Sequence, residues 1–355
     1  MEKNKIGIEE IKKILPDEWE SKARELGAMV RSRVIKCATN LLVLILLYVT
    51  SGKSIGGTSS ILKSSEKIKM NKNAVYERLL KSESWVKWLS RNISVNAGLI
   101  SERPEWLQYK RVLAVDTMKE ESVDLERTGW NLHYTMDIFS LEATEIKLTD
   151  EQTGEKLSNF EEIGWNDIIV GDRMYGTLKS IEYAESKGAD YVFRLKTDAF
   201  NLYDESGKWV DMKKKIRRMR ESAYKQFHLY YKSHGELKPL HICIYRKNET
   251  EIKESARDAS ENAKFYGNYI IVATSLNESP AKIFELYRLR WQIELLFKRL
   301  KSIFKLDELK AKKAEAVRVW FYCKLLLAAI CESLDNIGRF SPDSQFSFTS
   351  SEQME

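Results

Sequence analysis

The stretch YRLRWQIELLFKRLKS, residues 287–302, combines an apolar pattern with polar residues whose types suit a charged ligand. On an α-helix, with about 100° between successive residues, Tyr287, Arg290, Glu294 and Lys301 fall within a stripe roughly 60° wide. The large apolar residues of the segment fall on the adjoining face, which predicts that the helix packs on a core. The stripe would then lie at the edge of the core, where a cleft can form. Taken alone, the pattern fits equally well a surface helix with an i,i+4 ion pair between Arg290 and Glu294, worth roughly a few tenths of a kcal/mol.

Two aspartates upstream each follow an apolar run that is typical of a buried β-strand. Asp116 closes the run in LAVDTM, and Asp172 closes the run in DIIVGDRMYG. Because a sheet fixes the backbone of such a residue, we expect both carboxylates to emerge at the rim of the sheet, although one such aspartate alone would more often begin a turn. Together with Glu294 they predict a cage for two divalent cations, which prefer oxygen ligands. Two such ions about 4 Å apart can activate an attacking oxygen and stabilise a leaving one in phosphodiester chemistry.

The spacing of the four stripe residues, Y-x2-R-x3-E-x6-K, resembles the signature of one branch of the DDE transposases of bacterial insertion sequences. All four positions match, Asp116 resembles the first aspartate of the family, and GDRMYG resembles its D-R-G-Y-G motif, with Met174 in place of glycine. The resemblance covers roughly residues 105–325. It implies an RNase H-like fold, with the catalytic carboxylates on the first strand, just after the fourth strand and on a late helix.

The resemblance also implies what each site residue does. Asp116, Asp172 and Glu294 would be both the catalytic residues and the ligands of two Mg²⁺ ions, for which Mn²⁺ could substitute. The partners would be the terminal inverted repeats of the element and target DNA, with a homodimer in the DNA complex. The residues expected to contact DNA around this centre are Tyr287, Arg290, Lys298, Lys301 and Arg173. The charges of Arg290 and Lys301 suit phosphate, and Tyr287 would stack on the DNA end or donate a hydrogen bond to a phosphate.

Composition and charge narrow the class of protein. The chain has 355 residues, which suggests two or three domains, and a net charge of +6, which favours a polyanionic partner only weakly. Lysine and arginine exceed acidic residues by six in each of residues 53–91 and 287–320.

The four cysteines lack metal or disulfide spacing, as in a reducing cytosol. The N-terminus lacks a signal-peptide pattern, and the apolar run at 41–49 is far shorter than the roughly 20 residues of a membrane span. We therefore expect a bacterial cytoplasmic protein, nucleoid-associated when bound to DNA, with no membrane partner.

The order of the patterns along the chain predicts an α/β protein with a mixed sheet and flanking helices, preceded by a helical N-terminal domain. The resemblance implies that this sheet is RNase H-like, and a mostly β insertion is expected to interrupt it. The insertion is expected because 122 residues separate Asp172 from Glu294, more than a strand and a helix need. The predicted division is a DNA-binding domain at 1–104, the first part of the catalytic domain at 105–198, the insertion at 199–264, the second part at 265–325, and a helix end with a tail at 326–355.

Two further segments are candidates for DNA contacts. The N-terminal region contains a possible helix-turn-helix, with a helix near 59–67, a break at IKMN and a second helix from Lys72. In that case Lys72, Tyr76 and Arg78 would contact DNA; a plain helical bundle with solvated lysines is the alternative. Trp209, in the turn-like DESGKWVDM, either stacks on an unpaired base or packs inside the protein.

The resemblance implies a transposase that hydrolyses DNA at the ends of its element and joins the freed 3′-hydroxyl to target DNA, in cut-and-paste transposition. Two alternatives stay open: an inactive remnant that binds DNA as a regulator, and an RNase H-like nuclease without strand transfer. The presence of all three carboxylates argues for an enzyme.

Overall fold

A computed structural model of the protein describes residues 5–30, 34–66, 68–93, 103–120, 129–140, 143–196, 200–252, 260–302, 313–336 and 345–346. The helices in these ranges are α1 (Ile8–Lys12), α2 (Trp19–Glu25), α3 (Ala38–Thr50), α4 (Ile55–Ser65), α5 (Lys72–Lys81), α6 (Glu83–Asn92), α7 (Leu178–Ser186), α8 (Met212–Ile216), α9 (Glu261–Gly267), α10 (Pro280–Leu289), α11 (Trp291–Ser302) and α12 (Ala314–Asn336). The strands are β1 (Lys5–Ile6), β2 (Arg111–Glu120), β3 (Trp130–Asp137), β4 (Ala143–Asp150), β5 (Asp167–Gly171), β6 (Asp190–Arg194), β7 (Tyr224–Ser233), β8 (Glu236–Arg246), β9 (Tyr269–Thr274) and β10 (Gln345–Phe346).

An eight-stranded mixed sheet forms the centre of the molecule, in the order β4-β3-β2-β5-β6-β9-β8-β7. Strands β2, β3 and β4 are antiparallel, whereas β5 runs parallel to β2 and β6 runs parallel to β5. The parallel pair β5 and β6 is joined through α7, since parallel neighbours need a crossover. The predicted α/β class and mixed sheet are confirmed. The order of the first five strands of this sheet, β2 to β6, is consistent with an RNase H-like domain.

The segment predicted as a β-rich insertion supplies the strands β7 and β8. Both continue the main sheet, because β8 pairs with β9 and β9 pairs with β6. The boundaries of the predicted domains stay a prediction.

The two faces of the sheet carry separate hydrophobic cores. On one face, the N-terminal helices and α12 pack on β2, β3 and β4, with Trp85 and Trp320 among the buried side chains. On the other face, α7 and α8 cover β5, β6 and β8, with Tyr175 and Phe193 buried. Helix α3 is almost wholly buried, as the apolar run at 41–49 predicts. No helix in the described ranges is both long enough and apolar enough to cross a membrane.

The predicted helix-turn-helix segment contains two helices. The second, α5, begins at Lys72 as expected, because the side chain of Asn71 accepts the backbone N–H of Ala74 at 2.8 Å. The first, α4, begins at Ile55, earlier than predicted, because Ser54 caps it through the N–H of Gly57 at 3.3 Å.

Candidate active site

The two aspartates lie at the same level on neighbouring strands. In the parallel register of β2 and β5, Ala114 pairs with Val170, so that two residues further on Asp116 lies level with Asp172. Adjacent strands are about 4.8 Å apart, which brings the two backbones side by side. Asp172 directly follows the last residue of β5, as predicted. Asp116 does not close its strand: β2 continues to Glu120, since pairing with β3 extends it beyond the apolar run.

Glu294 lies in the first turn of α11 and forms an ion pair with Arg290. The sequence interpretation of one continuous helix is wrong at this point, because α10 ends at Leu289 and α11 begins at Trp291. The backbone tightens there: the N–H of Arg290 bonds to the carbonyl of Tyr287 at 3.2 Å, and that of Ile293 bonds to the carbonyl of Arg290 at 3.1 Å. These are i→i+3 hydrogen bonds, as in a turn of 3₁₀-helix.

The carboxyl group of Asp116 shares an electrostatic environment with the other candidate residues. Its pKa is raised to about 7, mainly by burial and also by the neighbouring carboxylates of Asp172 and Glu294, while the N–H of Thr117, 2.8 Å away, and the guanidinium of Arg290 oppose the shift. The three carboxylates and Arg290 therefore act on one another, and Asp116 titrates near neutral pH.

The donor set of this centre fits a divalent cation in its chemistry. Three carboxylates supply the hard oxygen ligands that such ions prefer, and a cation beside Asp116 would favour its charged form. As the side chains stand, no three acidic, histidine or cysteine residues in the described part of the chain are close enough together to hold an ion. Glu294 is turned towards Arg290 instead, so that joining a metal centre would require its side chain to change partner.

Two buried hydrogen-bond donors beside the carboxylates lack a partner. Among the described residues, neither the hydroxyl of Tyr287 nor Nε of Arg290 makes a hydrogen bond. The guanidinium of Arg290 lies 5.6 Å from the ring centre of Tyr287, and its side chain is only 11% exposed. A buried polar group without a partner costs about 1–3 kcal/mol, which an anionic oxygen at this point would recover.

A hydrogen-bonded chain runs through the core behind the aspartates. The hydroxyl of Thr117 lies 2.8 Å from that of Tyr175 and 2.9 Å from Nδ1 of His133, whose Nε2 lies 2.8 Å from the hydroxyl of Thr149. Burial, and to a smaller extent the charge of Lys147, lower the pKa of His133 to about 4, so the ring is neutral at pH 7. Asp116 precedes the first of these residues, so the network anchors its strand.

The sequence patterns did not reveal this network. A usable signal exists: side chains alternate along a strand, so Thr117 must point away from the face of Asp116 into the opposite core.

The other residues predicted to contact DNA around the three carboxylates differ in their exposure. Arg173 and Lys298 are exposed. Lys301 lies in α11, but its side chain is outside the described part of the structure. Trp209 is 57% exposed in a turn that bridges to Tyr203, so the alternative that it packs inside the protein is wrong.

The three candidates in the N-terminal region also differ in exposure and in whether the side chain already has a partner. Lys72 is exposed at the start of α5. The hydroxyl of Tyr76 lies 3.5 Å from Oε1 of Glu315, and the guanidinium of Arg78 donates to the carbonyl of Ala28 at 3.1 Å. The last two side chains thus already have partners within the fold. A role in DNA binding stays a prediction for all three.

Comparison with known proteins places these features in a family. The profile of the family described as a transposase DDE domain matches residues 105–330. The chain is 27% identical over 344 residues to the transposase for insertion sequence element IS421 of Escherichia coli, covering 90% of this chain and 91% of that protein. It is 24% identical over 196 residues to the transposase for insertion sequence element IS231C of Bacillus thuringiensis subsp. berliner, covering 47% of this chain and 41% of that protein.

Proposed function

The chain belongs to the family of transposases with a DDE domain, and from this premise we propose that it cleaves DNA at the ends of an insertion sequence and joins the freed 3′-hydroxyl to target DNA. Water and the 3′-hydroxyl act as successive nucleophiles at one centre, so no covalent protein intermediate is required. The ends of the element and the target DNA are the partners, and the DNA complex contains a homodimer.

The observation that carries the proposal is the pair of unpartnered donors beside the carboxylates. Tyr287 and Arg290 present a hydroxyl and an Nε–H group that are buried but not hydrogen-bonded among the described residues. A phosphate oxygen accepts from both kinds of donor, and arginine suits it in geometry as well as charge. The alternative is that Arg290 and Glu294 form only an ion pair on the protein surface. In that case both side chains would be solvated, and no buried donor would lack a partner.

The carboxylates then have a role distinct from that of the donors. Asp116, Asp172 and Glu294 would hold two Mg²⁺ ions, or Mn²⁺ in their place, which supply stabilisation of the attacking and leaving oxygens. Arg290 exchanges its partner, since the guanidinium that now pairs with Glu294 turns to the phosphate and leaves that carboxylate for a cation. Thr117, through its buried hydroxyl, keeps the backbone of Asp116 in position.

Residues outside the centre extend the contact with DNA. Lys298, Lys301 and Arg173 contact phosphates next to the cleaved bond, and the exposed ring of Trp209 stacks on an unpaired base. In the N-terminal region, Lys72 is the strongest candidate of its group because it is exposed.

The test replaces Glu294 with glutamine, which removes the charge but keeps nearly the same volume. Cleavage and strand transfer are measured with Mg²⁺, and binding to element ends is measured without divalent ions. We expect folding and binding to survive and both chemical steps to collapse, because they share one centre. The matched control is Glu285→Gln, an exposed glutamate of α10, which should leave every step unchanged.

The outcomes separate the alternatives. Cleavage by Glu294→Gln at the wild-type rate would refute its role as a metal ligand. Binding without cleavage in the wild-type protein would favour a DNA-binding regulator. Cleavage without joined products would indicate a nuclease.

A further inference from the structure

Two histidines face each other at the far end of the main sheet. His228 of β7 pairs directly with His241 of β8 in the antiparallel register. His241 pairs in turn with Thr274 of β9, and Thr274 pairs with Val192 of β6. Residues that lie opposite one another across a sheet share a face, so both imidazoles emerge on the same side.

The helix that covers this face of the hairpin ends short of the two histidines. Helix α10 packs four positions further along both strands, where the ring centre of Phe284 lies 5.5 Å from that of Tyr224 and 5.9 Å from that of Tyr245. His228 is exposed, and His241 is half-buried. The two imidazoles are therefore accessible from solvent.

The separation of the two rings fits a shared metal ion. Their centres lie 4.9 Å apart, and their planes form an angle of 65°. An imidazole nitrogen lies about 2.0–2.1 Å from a bound Zn²⁺, which places the ring centre roughly 3.2 Å from the ion. Two such rings at an angle of about 90–109° around the ion have centres about 4.5–5.2 Å apart. The observed separation lies within this interval, so one ion can be held without moving either strand.

The ring nitrogens are largely free to act as ligands. Among the described residues, the ring of His228 makes no hydrogen bond, and the ring of His241 makes one, 3.4 Å from its Nδ1 to Nε2 of Gln226. That distance exceeds the usual length of about 3.0 Å, and Gln226 also donates to the carbonyl of Glu278 at 3.3 Å. Burial and the neighbouring His228 lower the pKa of His241, which favours the neutral imidazole that a metal ion requires.

We propose that His228 and His241 bind a divalent transition-metal ion of the class of Zn²⁺, Ni²⁺ and Cu²⁺. Imidazole suits these ions, whereas Mg²⁺ prefers oxygen ligands. In the described part of the chain, no third acidic, histidine or cysteine side chain stands close enough to complete the ligand set, so water fills the other positions. The ion is therefore exchangeable, unlike one in a closed structural site with four protein ligands.

This two-histidine site is separate from the three carboxylates. In the order of the sheet, three strand spacings lie between β5, which precedes Asp172, and β8, which carries His241. At about 4.8 Å for each spacing, the two centres are roughly 14 Å or more apart. An ion at the histidines would cross-link β7, the edge strand, to β8, and its binding does not depend on the proposed function.

The test titrates the full, untagged chain with NiCl₂ by isothermal titration calorimetry, without DNA and with excess Mg²⁺. Mg²⁺ competes for carboxylate sites but not for imidazole. We expect one Ni²⁺ site per chain that depends on both histidines. His228→Asn and His241→Asn should each weaken it by at least about tenfold, because loss even of a residue that only supports a ligand has that effect at metal sites.

The matched control is His234→Asn, which removes an exposed imidazole from the turn between the same two strands. His234 has a φ of 49°, which asparagine tolerates, so this variant should keep the full affinity. Pulsed electron paramagnetic resonance of the Cu²⁺ complex counts the imidazoles directly. We expect two in the wild type and in His234→Asn, and one in either of the other variants.

Thermal unfolding checks that each variant is folded, and because His228 is exposed, its variant serves if His241→Asn does not fold. Absence of Ni²⁺ binding by the wild type would overturn the inference. Affinity that survives in both single variants, or a Cu²⁺ spectrum with one imidazole in the wild type, would show that the two rings only pack against each other. Cleavage plays no part in these measurements, so failure of the proposed function, seen as wild-type cleavage by Glu294→Gln, would leave them unchanged.

Discussion

Replacing Asp116 with asparagine is expected to stabilise the metal-free protein at neutral and alkaline pH. Burial and the neighbouring carboxylates raise the pKa of this group from 3.8 to about 7. Between these values the folded protein holds a proton that the unfolded chain has released. The contribution of Asp116 to stability is therefore fully present below about pH 3.8 and is lost as the pH rises towards 7.

The magnitude follows from the size of the shift. A change of about three pKa units at roughly 1.4 kcal/mol per unit gives an upper bound of about 4 kcal/mol above pH 7. Asparagine has no charge to desolvate and still offers an oxygen to the N–H of Thr117. We therefore expect Asp116→Asn to be more stable than the wild type by about 2–4 kcal/mol at pH 8 and nearly equal to it at pH 4.

The assay is denaturant unfolding in a chelator at both pH values, with Asp17→Asn, an exposed aspartate, as the control. Adding a divalent cation at about 100 times its dissociation constant should stabilise the wild type by about 2.7 kcal/mol and Asp116→Asn by much less. If the variant is less stable than the wild type at pH 8, the carboxylate makes a net favourable contact in the fold, and the reasoning is refuted.

Three further predictions concern other side chains. His133→Asn should remove a loss of stability of about 2 kcal/mol that the wild type shows as the pH falls from 6.5 towards 4, because the lowered pKa makes the folded protein resist protonation; equal pH profiles in denaturant unfolding would contradict this. Thr117→Val should cost about 1–3 kcal/mol by removing the hydrogen bonds of Thr117 to the hydroxyl of Tyr175 and to Nδ1 of His133, and Thr117→Ser should restore most of it in the same assay, whereas equal losses would point to packing alone. Trp209→Ala should change the melting temperature little, since the ring is 57% exposed, while weakening binding to DNA with an unpaired base; a large fall in melting temperature would contradict the exposed position.

The parts of the fold that local sequence determines were predictable. The apolar run at 41–49 specified a buried helix, and Asn71 specified the start of α5 through its own side chain. Asp172 follows a strand that is buried throughout and therefore reads as one apolar run.

Features that depend on distant partners were not predictable in this way. The strand carrying Asp116 extends to Glu120 only because β3 pairs with it, and β7 and β8 join the main sheet only because β9 lies between them and β6. The apolar pattern gives the length of a strand only where its own residues are apolar. The same limit hid the network around His133, whose members come from three strands and a loop.

Tyr287, Arg290 and Glu294 lie close together, as predicted, although they do not belong to the one continuous helix on which that prediction was based. One 3₁₀ turn of three residues rotates each residue by about 120° instead of 100°, which is about 60° in total and as much as the stripe is wide. Arg290 nevertheless reaches Glu294 and lies against the ring of Tyr287, because both contacts are made within or directly beside this turn. The spacing could not show whether this pair lies on the surface. Helical periodicity indicates on which face of a helix a side chain lies, but not how deeply that face is buried. The packing of the fold sets this depth: Arg290 is only 11% exposed, whereas Glu294 is 46% exposed. The pair therefore lies at the rim of the centre that contains Asp116, with its arginine buried beside Tyr287, where an exchange of partners can have a chemical effect.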